Sequence, residues 1–97
     1  MKIKLMNLKD NKELIKIIEM LNIKIEYLDD YKDLGMMVFC DFSDEALDLV
    51  LKTLRLSNIK VPLKAIETDT NKDWSSVELY EELFKEYLYY LNKSTSI

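Results

Sequence analysis

The chain has 97 residues, 48% apolar, 33% charged and 10% aromatic, with a formal net charge of -4. That is one domain's worth of chain, with enough apolar side chain to bury a core without a metal or disulfide staple. One cysteine (Cys40) and no histidine exclude an internal disulfide and remove the commonest metal ligand and the commonest general base.

Gly35 and Pro62 are the only residues of their types, so few tight turns and no linker are expected over residues 1–97. The opening "MKIKLMNLKD" lacks an apolar stretch of signal-peptide length, and no apolar run approaches the length of a membrane span. The expectation is a soluble cytoplasmic protein without membrane contact. The acidic balance disfavours non-specific attraction to nucleic acid but leaves room for a local basic face.

In chain order, "KIKLM" (Lys2 to Met6) reads as a strand. Asp10 to Leu21 reads as a helix, capped by Asp10 with Glu13 three residues on, and Leu14, Ile15, Ile17, Ile18 and Leu21 recur at helical spacing. "IKIEY" (Ile23 to Tyr27) alternates like a half-buried strand, and "DDYKDLG" (Asp29 to Gly35) is a polar turn. "MMVFC" (Met36 to Cys40) is apolar throughout, as a central strand is. Asp44 to Leu56 forms a second helix with Ser43 as N-cap, Asp44 and Glu45 complementing its dipole, and Phe42 and Leu47 spaced as a hydrophobic staple. "IKVPLKAI" (Ile59 to Ile66) is a strand whose Pro62 cannot donate to a ladder and therefore belongs at a sheet edge. Ser75 to Leu91 is the third helix.

Leu5 to Ile25 and Phe39 to Val61 look like copies of one another: strand end, polar turn, aspartate, amphipathic helix, then Asn-Ile-Lys. Asn22 and Asn58 stand where a left-handed helix-ending residue belongs. Chance likeness of two βαβ units is the bland alternative. A true repeat predicts an α+β, ferredoxin-like βαββαβ sandwich of sheet order 4-1-3-2, with both helices on one face and an additional C-terminal helix left to dock elsewhere. The two central strands are expected to finish at the same sheet end, gathering Asp10, Asp41, Asp44 and Glu45 there.

From "MMVFCDFSDEALDLVL" through "IKVPLKAIETDTNKDWSSVELYEEL", roughly residues 36–91, the chain resembles a bacterial family known as domain of unknown function 3783. The likeness rests on Val-Phe-Cys before an acidic helix start, on Pro62, Leu63, Lys64 and Ala65, on Thr70, Asn71 and Trp74, and on Glu78 and Leu79 in the helix that follows. The family commonly has a proline before its Thr-Asn, where this chain has Asp69. The resemblance supports the fold and implies no activity, ligand or catalytic residue.

"AIETDTNKDWSS" (Ala65 to Ser76) has two readings. Ser75 with Glu78 makes a capping box and Trp74 with Leu79 a staple, which is a structural joint. Asp69, Asn71 and Asp73 follow the first three ligand positions of a calcium loop, but the sixth position is Trp74 instead of glycine and the twelfth is Tyr80 instead of glutamate. The joint is the expected reading, with no metal. Cys40 ends a strand beside a helix N-terminus, where a thiol can be activated, but without a histidine base it is read as a small buried hydrophobe. No glycine-rich phosphate loop, Ser/Asp/His set or cysteine cluster is present, so no catalytic residue and no cofactor is expected.

Two surfaces remain as functional candidates. The third helix spreads apolar residues over more than one stripe, and Tyr80, Phe84, Tyr87, Leu88, Tyr90 and Leu91 are candidates for an interface with a second copy or another protein. On the sheet face opposite the first two helices, alternation is expected to place Lys4, Lys24, Glu26 and Lys64, with Ile3, Leu5, Ile23, Ile25, Leu63 and Ala65 facing the helices. An RNA-binding sheet would need stacking aromatics there, and only Phe39 is available. The leading expectation is a non-enzymatic interaction module, a homo-oligomer working through the last helix or a sheet edge. A small-ligand regulatory domain with an unnamed ligand is the alternative, with RNA binding behind it.

Overall fold

The computed structural model describes residues 1–95, with side chains placed through residue 92. The elements run β1 (Lys2–Met6), α1 (Lys12–Met20), β2 (Lys24–Tyr27), β3 (Met36–Cys40), α2 (Asp44–Leu56), β4 (Leu63–Ile66) and α3 (Ser76–Thr95).

The helix ends follow from side chains that answer orphan backbone groups. The cap of α1 is Asn11, whose Oδ1 accepts the Leu14 N–H at 3.2 Å. Asp10, the expected cap, instead lies one residue earlier, in a turn where its carbonyl accepts the Lys12 N–H. Ser43 caps α2 as expected, accepting the Ala46 N–H at 3.2 Å. Both helices end alike: the N–H of Ile23 reaches the Ile18 carbonyl and that of Ile59 reaches Leu54, while Asn22 and Asn58 each sit at φ 58°. This is the six-to-one closure that a left-handed asparagine permits. The repeat extends further than its sequence suggests, because Asn7 after β1 (φ 60°) and Asp41 after β3 (φ 63°) are left-handed as well.

The sheet is four-stranded and mixed, in the order β2-β1-β3-β4. β1 pairs with β2 in parallel, β1 with β3 antiparallel, and β3 with β4 in parallel. The α+β class therefore stands, but the ferredoxin-like order 4-1-3-2 is corrected. Each βαβ unit keeps its two strands adjacent, with no third strand inserted between them. The physical reason lies in the β2–β3 connection, Leu28 to Gly35. It is no tight hairpin but a crossing segment long enough to carry the chain beneath the end of β1 to its far side, across two strand spacings of about 4.8 Å.

Asn7 fastens that segment. Its side chain donates to the carbonyls of Tyr31 (2.6 Å) and Leu34 (2.8 Å) and accepts the Tyr31 N–H (3.0 Å), and its own N–H is bound by Asp30.

The antiparallel central pair also corrects the expected acidic cluster. Met6 lies opposite Met36 and Lys2 opposite Cys40, so β1 and β3 finish at opposite ends of the sheet. Asp10 is at one end, while Asp41, Asp44 and Glu45 are at the other.

Two cores flank the sheet. Ile3, Leu5, Met37 and Phe39 face α1 and α2, meeting Leu14, Ile18, Val50 and Leu54. Met6, Met36, Val38, Cys40 and Leu63 face the other way, toward Tyr80 of α3. All five residues of β3 are buried, which is why that strand has no polar alternation: helices cover both of its sides. The last helix is thus the third layer of the fold and not a free arm. Leu63 belongs to this second core and not, as expected, to the first, because its register partner is Met36. The strand itself begins only after Pro62, which has no N–H to give to a ladder.

Candidate functional site

The approach to α3 is a hydrogen-bonded joint. Asn71 Oδ1 accepts the Thr68 N–H at 2.8 Å, its Nδ2 donates to the Ile66 carbonyl, and Thr68 Oγ1 accepts the Asn71 N–H. Ser75 Oγ accepts the Glu78 N–H at 3.1 Å and meets the Glu78 carboxylate at 3.4 Å. Asn71, the middle oxygen donor of the calcium-like pattern, is therefore committed to holding its own turn. Among the described residues no group of three or more acidic or cysteine side chains is arranged to hold a metal ion.

The candidate interface residues on α3 divide into two sets. Tyr80 is 1% exposed, with its hydroxyl accepting the Leu34 N–H at 3.1 Å. Its ring meets Tyr31 edge-on (centroids 5.1 Å apart) and stacks on Phe84 at 6.0 Å. Phe84 and Tyr87 are half-buried against the same core. These three are thus spent on the chain's own sheet. Beyond them Leu88 (42% exposed), Tyr90 (65%) and Leu91 (45%) stay at the surface, joined by Tyr89 (62%), which the sequence reading passed over. Tyr89 and Tyr90 meet edge-on at 5.7 Å, and Tyr90 lines a shallow cleft with Pro62, Lys64 and Leu83.

A polar clamp pins the buried half. Glu81 Oε1 accepts from the Tyr31 hydroxyl at 2.5 Å and from Lys32 Nζ at 2.6 Å, while Lys32 lies over the rings of Tyr31 and Phe84. The bond to Lys32, and then that to Tyr31, holds the Glu81 carboxyl below its ordinary value, and the same contacts raise Lys32 and Tyr31. These charge-assisted bonds tie the crossing segment to α3.

The expected lysine face does not form. Lys4 and Lys24 do lie on the side away from α1 and α2, but Lys4 is paired with Glu67 at 3.3 Å and Glu26 with Lys2 at 2.9 Å. Lys64 stands opposite Met37 and so turns to the α2 side. Phe39, the one aromatic available for stacking bases, is 2% exposed in the core under α1 and α2. Cys40 has Glu67 Oε2 at 3.6 Å from its sulfur. Burial first, and the neighbouring carboxylate second, push its thiol above the ordinary value, the opposite of an activated nucleophile.

Among the described residues no helix is long and apolar enough to cross a membrane. Neither the curated proteins nor the solved structures give a match to the chain. A family's sequence model does match, over residues 35–90, more than half of the chain and including β3, α2, β4, the Thr68–Ser75 joint and most of α3. The chain belongs to that family, described as Domain of unknown function (DUF3783).

Proposed function

We propose that the chain is a non-enzymatic self-association module whose contact surface is the distal half of α3. One observation carries this reading: Leu88, Tyr89, Tyr90 and Leu91 are all exposed at the end of a helix whose other half is packed, with the Tyr89 and Tyr90 rings in edge-on contact and Leu88 and Leu91 one turn apart. Exposed tyrosines and leucines at such density are the kind of apolar and aromatic surface that interfaces use. Both sheet edges are poorer candidates. Lys24 and Glu26 guard β2, and Pro62 and Lys64 guard β4, the devices by which edges resist pairing. The partner favoured by this reading is a second copy of the chain, in a reducing, cytoplasmic setting to which a lone buried thiol is suited.

Sedimentation equilibrium over a range of concentrations tests it. The expected result is a mass moving toward twice that of the chain, and a return to the monomer in Tyr90→Lys with the far-UV spectrum unchanged. A monomer at every concentration overturns the proposal.

A further inference from the structure

α1 and α2 cover one face of the sheet unevenly. Lys64 and Ile66 point to that face because their register partners, Met37 and Phe39, do, yet both are exposed. Between α2 and β4 this leaves a cleft of about 620 Å³ with a floor of Leu51, Leu54, Ile59 and Val61. Past Leu51 and Lys64 it continues into a second hollow of about 270 Å³ against Phe39, Leu47 and Ile66. Such volumes are in the range of small-molecule sites, roughly 300–1,000 Å³.

The border of the larger cleft is cationic. Arg55, Lys60 and Lys64 line it, and no aspartate or glutamate does. Among the described residues none of the three cations is in an ion pair. The chain as a whole is acidic, so three unpaired cations around one hollow depart from its average surface. They are not required to neutralise a bare helix end either, because the carbonyls of Leu54 and Arg55 already accept the N–H groups of Ile59 and Asn58. A groove for single-stranded nucleic acid would place aromatic faces along the trough, whereas Phe39, the one ring there, is 2% exposed.

We infer that this trough binds an amphiphilic anion, a carboxylate or phosphate head on an apolar body, with the head between Arg55, Lys60 and Lys64 and the body along Leu51 toward Phe39. Charge-assisted hydrogen bonds from the guanidinium and ammonium groups hold the head. The body displaces water from a floor that this face leaves uncovered. Lys64 also borders the shallow cleft beside Tyr90, but the rest of the trough is lined by α2 and the Asn58–Val61 segment and by no residue of Leu88–Leu91, so the inference does not rest on self-association.

The test is an amide chemical-shift titration of the full chain with octyl phosphate kept below its micelle concentration, alongside octanol, inorganic phosphate and vesicles of anionic phospholipid. The inference expects saturable shifts at Leu51, Arg55, Lys60 and Lys64. It expects binding weakened at least about tenfold in the exposed-residue variant Arg55→Glu, Lys60→Glu, Lys64→Glu, and by a smaller factor in Lys64→Met. An unchanged spectrum away from the trough certifies the fold of both variants. Absence of saturable shifts, equal binding of octanol, equal shifts with inorganic phosphate, binding to vesicles alone, or shifts confined to Leu88–Leu91 would each overturn it. Sedimentation of the same samples reports self-association separately.

Discussion

The two βαβ units, residues 2–27 and 36–66, share their joints and differ in their surroundings. Each has a left-handed residue after its first strand, a polar N-cap, and a left-handed asparagine closing its helix. In the first unit the left-handed residue, Asn7, also binds the crossing segment through four hydrogen bonds. Its counterpart Asp41 is exposed and makes no such contact. In the second unit α3 covers the far face through Tyr80, Leu83 and Phe84, and on the near face a trough stays open beside β4. The difference teaches that backbone geometry is set by the repeated joints, while open surface arises where only one copy acquires a neighbour.

The strongest way to break this comparison is to remove the cover that α3 gives the far face, where the second unit supplies four strand residues and the first only Met6. Tyr80→Ala deletes a buried ring and orphans the Leu34 N–H, so a loss of about 3–5 kcal/mol is expected in urea denaturation. Tyr90→Ala, on the exposed half of the same helix, is expected to stay within about 0.5 kcal/mol under monomeric conditions. Equal losses would refute the division of α3 into a packed and an exposed half.

Next come the paired joints. Asn7→Ala removes side-chain hydrogen bonds as well as a residue tolerant of the left-handed region, and should cost about 2–4 kcal/mol. Asp41→Ala loses only the conformational tolerance, about 1 kcal/mol. If the two costs coincide, Asn7 is not the fastener described here.

Gly35→Ala sharpens the account of the crossing segment. A Cβ there would lie 2.5 Å from Leu8 Cδ2 and 3.0 Å from its Cγ, so a loss of about 1–3 kcal/mol is expected. The cause is crowding, not the backbone, and the same substitution should therefore cost less in a Leu8→Ala background. A double-mutant cycle without coupling would rule crowding out.

The smallest expected effect is on pH dependence. The Glu81 carboxyl sits below its ordinary 4.5 in the fold because of Lys32 and Tyr31. The unfolded chain therefore binds that proton more readily, and the contribution of Glu81 is present above pH 4.5 and lost as pH falls through the lower folded value. On the alkaline side the Glu81 contact raises Lys32 above its ordinary 10.5, so its contribution is fully present below 10.5 and is lost as pH climbs through the higher folded value. Glu81→Gln should flatten both limbs in melting temperatures taken across the pH range. An unchanged acid limb would mean that the clamp does not couple to folding.

Much of this architecture is legible in the residues. Ser43, Ser75 with Glu78, and the asparagines at 22 and 58 act locally, and local chemistry can be read without knowing the fold. "MMVFC" announces a central strand, though not that α3 covers its second side, and Pro62 announces an edge. The strand order is not written locally. The two βαβ orders use the same strands and helices, and they differ in the path of the β2–β3 segment, which Asn7 fastens by reaching across to Tyr31 and Leu34, about 25 residues away. The position of Lys64 was missed for a related reason, because alternation counted from Ile59 ignores that the ladder starts after Pro62. On α3 the excess of apolar residues was visible, but its division into Tyr80, Phe84 and Tyr87 inside and Leu88, Tyr90 and Leu91 outside depends on where the sheet ends.

Self-association through the end of α3 is tested most directly by amide hydrogen exchange followed over about a hundredfold range of protein concentration, since association slows opening by mass action. Exchange across Leu88–Leu91 is predicted to slow as concentration rises while α1 exchanges at a constant rate. Rates across Leu88–Leu91 that do not change with concentration would contradict it.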